Sequence, residues 1–388
     1  MKGDKTVAVI GGGAGGCGSS LALAERGWKV HLFEKNTIFS GTSGITCGRL
    51  GLGFHYIDLE TSLKLMRATI RLVKTFPGHF VGEDFPSSHP IRRGRYFITN
   101  DSLASPHDIL EQAYSDMVDE DPSNMVFGLP KDFYRILDKE EYVDDVDVSK
   151  VVVGIETSEH LLDCKKFQTS LESRLRNHNN ITIHEFTKLV DIERLIDDKK
   201  YRWSLIFDKS DGKRCVSFSC DYVVNSTWCQ IEKFNRIAGF PEQSFPITNR
   251  LKAIVGVKLP VSMYDSHSMF FCIGPFCMFS NLGDGTALMT YAPVTNITTS
   301  DGTTVNKKMA RLTEHGATVN EFRNITSNVV NGVSTFIPAL KNAEVISLAF
   351  GIVKTQGSVD IYDLSSPFHR RSYFAVRSEG DGWTLILA

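Results

Sequence analysis

The chain has 388 residues, and its 43 lysines and arginines against 45 aspartates and glutamates give a formal net charge of −2. Hydrophobic residues make up 42% of the sequence and charged residues 23%, a composition that forms a core and excludes disordered, collagen-like and coiled-coil chains. The near-neutral charge gives no electrostatic basis for binding nucleic acid. The length predicts about two domains.

Targeting and metal signals are absent from the sequence pattern. The first residues lead straight into a strand pattern, without the apolar stretch of about ten residues that a secretory signal needs. No window has the roughly 18 uninterrupted apolar residues of a transmembrane helix. The 8 cysteines show neither C-x-x-C pairs nor zinc-type spacing, so we expect reduced thiols and no metal site. These features predict a cytoplasmic protein without a transmembrane segment.

The chain opens with the pattern of a βαβ unit. Thr6 to Ile10 is short, apolar and β-branched, as expected for a strand buried on both faces. A glycine-rich turn follows, and residues 17–26 are compatible with a helix that ends at a glycine. Residues 28–33 predict a second strand, which ends on Glu34.

The remainder of the sequence alternates helix and strand patterns around a sheet-rich middle. The expected elements are helices over 59–76, 163–177 and 303–331, a mixed stretch over 78–150, a meander over 189–218 with a turn at Asp211–Gly212, and strands over 221–225, 251–292 and 345–353. The sequence therefore predicts an α/β protein with a Rossmann-type domain and a second, mostly antiparallel and sheet-rich domain.

The glycine-rich turn carries the G-x-G-x-x-G pattern, with Gly11, Gly13 and Gly16 in register. The first glycine permits the tight turn, the second lets a pyrophosphate approach the backbone, and the third lets the helix pack closely on the sheet. The helix N-terminus near Ala14 then offers unpaired N–H groups to phosphates. Glu34 can accept hydrogen bonds from both ribose hydroxyls. Together these features predict dinucleotide binding rather than a structural turn.

The residues after Glu34 favour FAD over NAD. Residues 40–53 are rich in glycine, serine and threonine, and such a loop can follow an extended, bulky cofactor, whereas simple NAD dehydrogenases usually continue with another βαβ unit. At this point the chain resembles the D-amino-acid oxidase-type FAD-dependent oxidoreductases, the family of glycine and sarcosine oxidases and glycerol-3-phosphate dehydrogenases. Residues 181–190, 221–228 and 351–383 fit the same family, although Trp228 stands where the family usually has a glycine.

The resemblance implies a glutathione-reductase-like, two-domain flavoprotein with non-covalently bound FAD, in which Cys47 packs rather than bonds to the cofactor. The implied FAD-binding domain is discontinuous and the rest forms a substrate or cap domain; the boundaries are 1–80, 150–235 and 340–388 for the first, and 81–149 and 236–339 for the second. Relatives normally continue after the position of residue 383 into a helix directed at the flavin. From its lack here we expect FAD to dissociate readily.

The resemblance also implies which residues contact FAD. Glu34 and Lys35 belong to the adenosine end, and Arg49 is the candidate cation that favours reduced flavin, with a structural ion pair to a carboxylate as the alternative. The implied cofactor-binding residues are Gly11, Gly13, Ala14, Gly16, Glu34, Lys35, Ser43, Thr46, Arg49, Leu50, Val190, Thr227, Gly380 and Gly382.

The candidate catalytic residues are His55, Tyr56, Arg250 and Arg370. His55 follows the glycine-rich loop, so it either borders the flavin and substrate or is a structural histidine. The arginines are candidates for binding a substrate carboxylate or phosphate, as are Lys252, His369 and Arg371, although residues 369–371 can equally form a surface cluster.

The favoured function is therefore an FAD-dependent oxidoreductase that oxidises a C–H bond next to an amine or hydroxyl group of a small substrate. Its flavin would be reoxidised by O2 or a quinone-type acceptor. Such chemistry needs mainly a dry pocket that positions the substrate. Two alternatives remain open: a mutase or isomerase that uses flavin without net redox, and a degenerate FAD fold that binds without catalysis.

Overall fold

The computed structural model of the chain describes residues 5–56, 58–105, 133–196, 198, 200–209, 216–241, 246–274, 276–369 and 376–386. Three sequence predictions lie outside the described residues: the Asp211–Gly212 turn and the candidate cations Arg370 and Arg371.

The strands are β1 (Thr6–Ile10), β2 (Lys29–Phe33), β3 (Gly94–Thr99), β4 (Tyr134–Leu137), β5 (Val151–Thr157), β6 (Ile181–His184), β7 (Thr187–Arg194), β8 (Trp203–Lys209), β9 (Val216–Cys220), β10 (Tyr222–Asn225), β11 (Ile247–Lys258), β12 (Ser268–Cys272), β13 (Cys277–Asn281), β14 (Thr286–Tyr291), β15 (Asn296–Asp301), β16 (Glu344–Gln356), β17 (Val376–Gly380) and β18 (Trp383–Ile386). The α-helices are α1 (Ala14–Ala24), α2 (Leu59–Thr75), α3 (Cys164–Arg176), α4 (Ile231–Ile237), α5 (Ala292–Thr295), α6 (Lys307–His315) and α7 (Val319–Ser334).

A six-stranded sheet, in the order β17-β18-β10-β1-β2-β6, contains the opening βαβ unit. All its neighbouring pairs are parallel except β17 with β18. Helices α1 and α3 pack on one face, and the β7-β8-β9 meander covers the other face. Because the carboxyl ends of β1, β2 and β10 meet at one edge, the glycine turn, Glu34 and Ser226 are neighbours there.

The helices on this sheet follow their sequence signals. Asp163 caps α3 by accepting a hydrogen bond from the Lys166 amide at 2.9 Å, and the buried residues Phe167, Leu171 and Leu175 recur every fourth position. Helix α1 begins at Ala14, earlier than the sequence pattern predicts, because Gly13 already serves as its N-cap.

The second large sheet has nine strands, in the order β15-β11-β14-β13-β12-β3-β5-β4, with β16 also paired to β11. Helix α7 packs on one face of it, together with the main hydrophobic core. Residues 151–157 and 344–356 belong to this sheet as β5 and β16, whereas the expected boundaries assign them to the FAD-binding domain. Strand β16 pairs with β11 from one end to the other, which fixes its place in this sheet.

The side of this sheet opposite α7 is called the loop face below. In-register neighbours point to the same side of a sheet, and successive residues in a strand point to opposite sides. Phe279 and Met289 lie in the core on the α7 side, so the adjacent residues Met278 and Thr290 point to the loop face. Residues in register with Met278 and Thr290 point the same way. In β11, Val255 is in register with Met289, so Ile254 and every second residue before it also point to the loop face. The loop face comprises Tyr96, Arg250, Lys252, Ile254, Phe270, Met278, Thr290, Gly351 and Val353.

No helix within the described ranges is both long enough and apolar enough to cross a membrane.

Candidate functional site

The glycine turn leaves no room for side chains. Gly11 has φ +103°, and a Cβ added there would lie 2.4 Å from the carbonyl oxygen of Ser226. A Cβ on Gly16 would lie 1.8 Å from the carbonyl oxygen of Gly11. The turn therefore keeps α1 close to β1 and β10, which brings the N-terminus of the helix to the carboxyl edge of the parallel sheet.

Glu34 lies against this turn. One carboxylate oxygen accepts a hydrogen bond from the Gly12 amide at 2.7 Å, and the other accepts one from the Asn36 amide at 2.9 Å. The side chain is half-buried and the neighbouring Lys35 is exposed. The acidic group is thus held beside the glycine loop, which is the position needed to bind a ribose.

Ser43 faces the start of α1. Its hydroxyl oxygen accepts a hydrogen bond from the Ala14 amide at 3.0 Å, and its carbonyl oxygen accepts one from Gln168 at 3.1 Å. The N-cap residue of this helix, Gly13, has no side chain to cap it. The Ala14 amide and the Ser43 hydroxyl therefore form a small polar site next to Gly13, where a Cβ would come within 3.1 Å of the serine oxygen. We call this site, together with the glycine turn and the Glu34 carboxylate, the glycine cradle.

One other predicted contact residue, Thr227, lies at this edge. The Thr227 hydroxyl donates to the side-chain oxygen of Asn225 at 2.7 Å, directly after β10. Val190 falls where the register between β7 and β8 shifts, so its backbone is set apart from the regular ladder. Trp228 has φ +55°, a left-handed conformation that favours glycine, so the backbone shape associated with the family's glycine is present despite the tryptophan.

The structure does not bring Gly380 and Gly382 to this edge, which corrects the prediction that they bind the cofactor. Their φ values of +95° and +78° form the turn between β17 and β18. Strand β18 starts beside Val223 and runs parallel to β10, so this turn lies at the amino edge of the sheet, opposite the glycine loop. These glycines are needed by a hairpin turn.

The loop over residues 40–56 crosses from the glycine turn to the loop face. The Thr42 hydroxyl oxygen accepts a hydrogen bond from the Ile352 amide at 3.2 Å, and its methyl carbon would be 3.3 Å from a Cβ on Gly351. Further along, the Cys47 sulfur lies 3.8 Å from the Met278 sulfur. Of the other predicted contacts, Thr46 is exposed and Leu50 is buried.

At the far end of the loop, Arg49 joins a buried cluster. Its Nε lies 3.3 Å from the Glu159 carboxylate, its Nη2 lies 2.9 Å from His55 Nδ1, and its guanidinium is stacked 4.1 Å from the centre of the Phe270 ring. The Tyr96 hydroxyl donates to the other Glu159 oxygen at 2.5 Å. The ion pair with a carboxylate, one of the two alternatives for Arg49, is therefore formed.

Burial governs the ionisation of this cluster. It raises the pKa of Glu159 above its ordinary value, while the Arg49 charge and the hydrogen bond from Tyr96 act in the opposite direction. Burial also raises the pKa of Tyr96 well above that of a free tyrosine, which keeps the phenol protonated as a donor. Because a guanidinium can only donate, the His55 nitrogen it contacts must accept, so His55 is neutral in this arrangement.

The predicted catalytic residues are brought together only in part. The rings of His55 and Tyr56 are 4.0 Å apart, and His55 lies 4.9 Å from the Phe270 ring. Arg250 is also on the loop face, but it is buried in β11, whereas Phe270 is in β12. Its in-register partner is Val353.

Sequence reasoning missed Glu159, Tyr96 and the role of Phe270. Glu159 is a single carboxylate in a segment without a motif, and Tyr96 lies in the stretch interpreted as mixed. The contact between Tyr96 and Phe270 follows only from the pairing of β3 with β12, which places the two residues side by side. The valine run at 151–153 was a usable signal for β5, the strand that leads to Glu159.

A family profile described as "FAD dependent oxidoreductase" (DAO) matches residues 6–386. The chain belongs to this family. The match covers both large sheets and confirms the α/β flavoprotein fold, FAD as the cofactor and an oxidoreductase as the class of enzyme. The polar groups of the glycine cradle fit FAD, since its amides match a diphosphate and the Glu34 carboxylate matches a ribose.

Solved structures support the same fold. Glycine oxidase from Geobacillus kaustophilus superposes with a TM-score of 0.62 at 16% identity, covering 98% of this chain and 87% of that protein. L-proline dehydrogenase from P. horikoshii gives 0.65 at 16% identity, covering 99% and 88%. At such identities the likeness extends to the fold alone.

A curated relative matches part of the chain at higher identity. The FAD-dependent monooxygenase kojA of Aspergillus flavus is 32% identical over 118 residues, which cover 30% of this chain and 26% of that protein. The chain thus matches about a quarter of this relative's length.

Proposed function

We propose that this FAD-dependent oxidoreductase oxidises a C–H bond next to an amine or hydroxyl group of a small, acidic substrate. The observation that carries the proposal is the course of residues 40–56, which lead from the glycine cradle to the loop face and end at Arg49 and His55. This course connects the glycine turn, where the diphosphate would bind, with the cluster around Arg49, where the ring would lie.

The cofactor end would be held by backbone amides and one acid. The Ala14 amide and the Ser43 hydroxyl would bind the diphosphate, and Glu34 would bind the ribose. When bound, FAD supplies a two-electron acceptor for the reaction. We propose that the binding is non-covalent, because the Cys47 thiol packs against Met278.

The ring end would be shielded by apolar side chains. Phe270, Met278 and Ile254 lie on the loop face, and Phe54, near the end of the loop, is buried. Such a surface excludes water and lets substrate positioning dominate the rate. His55, held neutral by the Arg49 N–H, can accept or orient a proton only in competition with that hydrogen bond.

The substrate's acidic group would be bound by the cations of the loop face. Lys252 is half-buried opposite Gly351, which lies beside Thr42, and Arg250 lies two residues earlier on the same side. Glycine oxidase and L-proline dehydrogenase act, by their names, on small amino and imino acids. A carboxylate or phosphate on the substrate fits the charge of this surface.

The purified protein tests the proposal directly. We expect a yellow flavoprotein whose visible absorbance bleaches without oxygen on addition of at least one of glycine, proline, a 2-hydroxy acid or glycerol phosphate. Lys252→Met should raise KM for that substrate about tenfold with an unchanged flavin spectrum. A yellow protein that none of the four donors reduces would contradict this substrate class and favour a role without net redox.

Two further assays address the cofactor linkage and the acceptor. Acid precipitation should leave all flavin in the supernatant, and flavin that stays with the pellet would contradict non-covalent binding. After reduction, admission of air should restore the colour with release of H2O2 if O2 is the acceptor, and only an added quinone should restore it otherwise. The cytoplasmic location stays a prediction.

A further inference from the structure

Glu159 is a buried carboxylate next to the loop face. It is 3% exposed, and its Oε2 accepts hydrogen bonds from the Tyr96 hydroxyl at 2.5 Å and the Leu52 amide at 3.1 Å. Its other oxygen lies 3.3 Å from Arg49 Nε. Three groups from two parts of the chain, β3 and the loop over residues 40–56, therefore contact this carboxylate, although it contacts neither the glycine cradle nor the cations of β11.

Arg49 is fixed in turn, except for one donor. Glu159 forms an ion pair with Nε at 3.3 Å, His55 accepts from Nη2, and the guanidinium carbon lies 4.1 Å from the centre of the Phe270 ring. Nη1 is buried and has no hydrogen-bond partner among the described residues. A buried N–H without a partner costs free energy unless a ligand or water satisfies it. A small cavity of about 20 Å³ borders Arg49, Tyr96, Glu159 and Phe270.

We propose that Glu159 is a positioning residue, which aims Arg49 Nη1 at the flavin ring and neutralises the arginine charge, so that the ring meets a directed N–H rather than a free cation. This inference rests on the proposed function, because it requires the ring to lie against the loop face. It goes further by assigning a role to an acid that neither touches the cofactor nor carries a motif.

The two charges depend on each other. Burial favours the protonated form of Glu159, and Arg49 is the main group that opposes this preference. If Arg49 were replaced by a neutral residue, Glu159 would take up a proton and the site would remain neutral. If Glu159 alone were replaced, the arginine charge would be left uncompensated beside the ring, and it would favour the reduced, electron-rich flavin.

The test is the two-electron reduction potential of bound FAD in four proteins: wild type, Glu159→Gln, Arg49→Gln and the double variant. Glu159→Gln should favour reduction about tenfold, a shift of about +30 mV for a two-electron couple. Arg49→Gln and the double variant should stay within about twofold of wild type, or about 9 mV. A purely structural role for Glu159 would not produce this pattern.

Glu156 provides the matched control. It is a buried glutamate on the preceding strand whose carboxylate pairs with Arg93, Arg95 and His267 instead of Arg49. Glu156→Gln loses a buried ion pair as Glu159→Gln does, yet it should leave the potential at the wild-type value. An equal shift in Glu156→Gln would show that the potential responds to general loosening, which would overturn the proposal.

Two other outcomes would also overturn it: no change of potential in Glu159→Gln, or an equal change in the presence and absence of Arg49. If Glu159→Gln does not fold, Tyr96→Phe replaces it. Loss of the hydroxyl makes Glu159 easier to protonate, so a smaller shift of the same sign is expected, and none would contradict the proposal. A wild-type protein that binds no FAD would instead contradict the proposed function.

Discussion

The glycine cradle and the loop face form two ends of one site in different ways. The cradle is made of backbone amides and one acid drawn from about 30 consecutive residues, and its shape depends on the absence of side chains at Gly11 and Gly16. The loop face is made of side chains from six strands, and its cluster around Arg49 brings together residues as distant in sequence as Leu52, Glu159 and Phe270. The first region tolerates almost no added atoms, whereas the second can change its side chains and keep its backbone.

The largest expected effect comes from filling the cradle. Gly16→Ala puts a Cβ 1.8 Å from the Gly11 carbonyl oxygen, so α1 must move away from β1. We expect a loss of at least about 4 kcal/mol in unfolding free energy, and FAD binding weakened about 100-fold or more. Urea unfolding and FAD titration measure the two effects.

Gly18→Ala is the matched control within the same helix. A Cβ there meets nothing within 4 Å, so alanine should stabilise the helix by about 0.5–1 kcal/mol through its propensity. If both variants bound FAD like the wild type, the cradle would not depend on its glycines as we describe.

The next largest effect concerns a buried ion pair between the second sheet and helix α4. Lys354 of β16 pairs with Glu232 of α4, both are almost fully buried, and Lys354 also donates to the Trp228 carbonyl oxygen at 3.3 Å. Lys354→Met leaves Glu232 uncompensated, so we expect a loss of about 3 kcal/mol in unfolding free energy.

The double variant Lys354→Met with Glu232→Leu sharpens this prediction. Because replacing both charges removes the unpaired carboxylate, it should recover most of the lost stability in chemical unfolding. A double variant as unstable as the single one would mean that Lys354 stabilises the protein through its packing and not through its charge.

We expect acid to lower the free energy of unfolding. Burial lowers the pKa of His160 to about 4 and lowers those of His31 and His267 as well. The unfolded chain therefore binds more protons than the folded one below about pH 6.5, and stability falls as the pH drops from there towards 4. His160 alone contributes on the order of 2 kcal/mol to this loss.

Chemical unfolding at pH 7 and pH 5 measures that slope. His160→Asn can retain a donor to the Arg92 carbonyl oxygen, which His160 Nδ1 contacts at 3.1 Å, and should flatten the dependence. An unchanged slope would assign the pH dependence to other groups.

The smallest expected effect is at the cradle's polar side. Ser43→Ala removes the hydroxyl that faces the Ala14 amide, so FAD should bind about fivefold more weakly, a cost of about 1 kcal/mol, with stability unchanged. Ser40→Ala is the control, because its hydroxyl donates only to the nearby Thr37 carbonyl oxygen. Equal affinities for both variants would remove Ser43 from the cofactor contacts.

Local signals explain what the sequence could predict. The opening βαβ unit, α2 and α3 follow from apolar spacing, caps and glycines that lie next to each other in the chain. Strand β3 was missed because all six of its residues are buried, so it lacks the alternation of a half-exposed strand. Gly380 and Gly382 were misassigned because a glycine pair alone does not distinguish a phosphate-binding turn from a hairpin turn.

A crystal structure of the FAD-loaded protein would test the central claim most directly. Our account predicts the diphosphate beside the Ala14 amide, the ribose on Glu34, and the flavin ring against the loop face within reach of Arg49 Nη1. A ring bound away from the loop over residues 40–56, or a diphosphate that does not contact the glycine cradle, would contradict it.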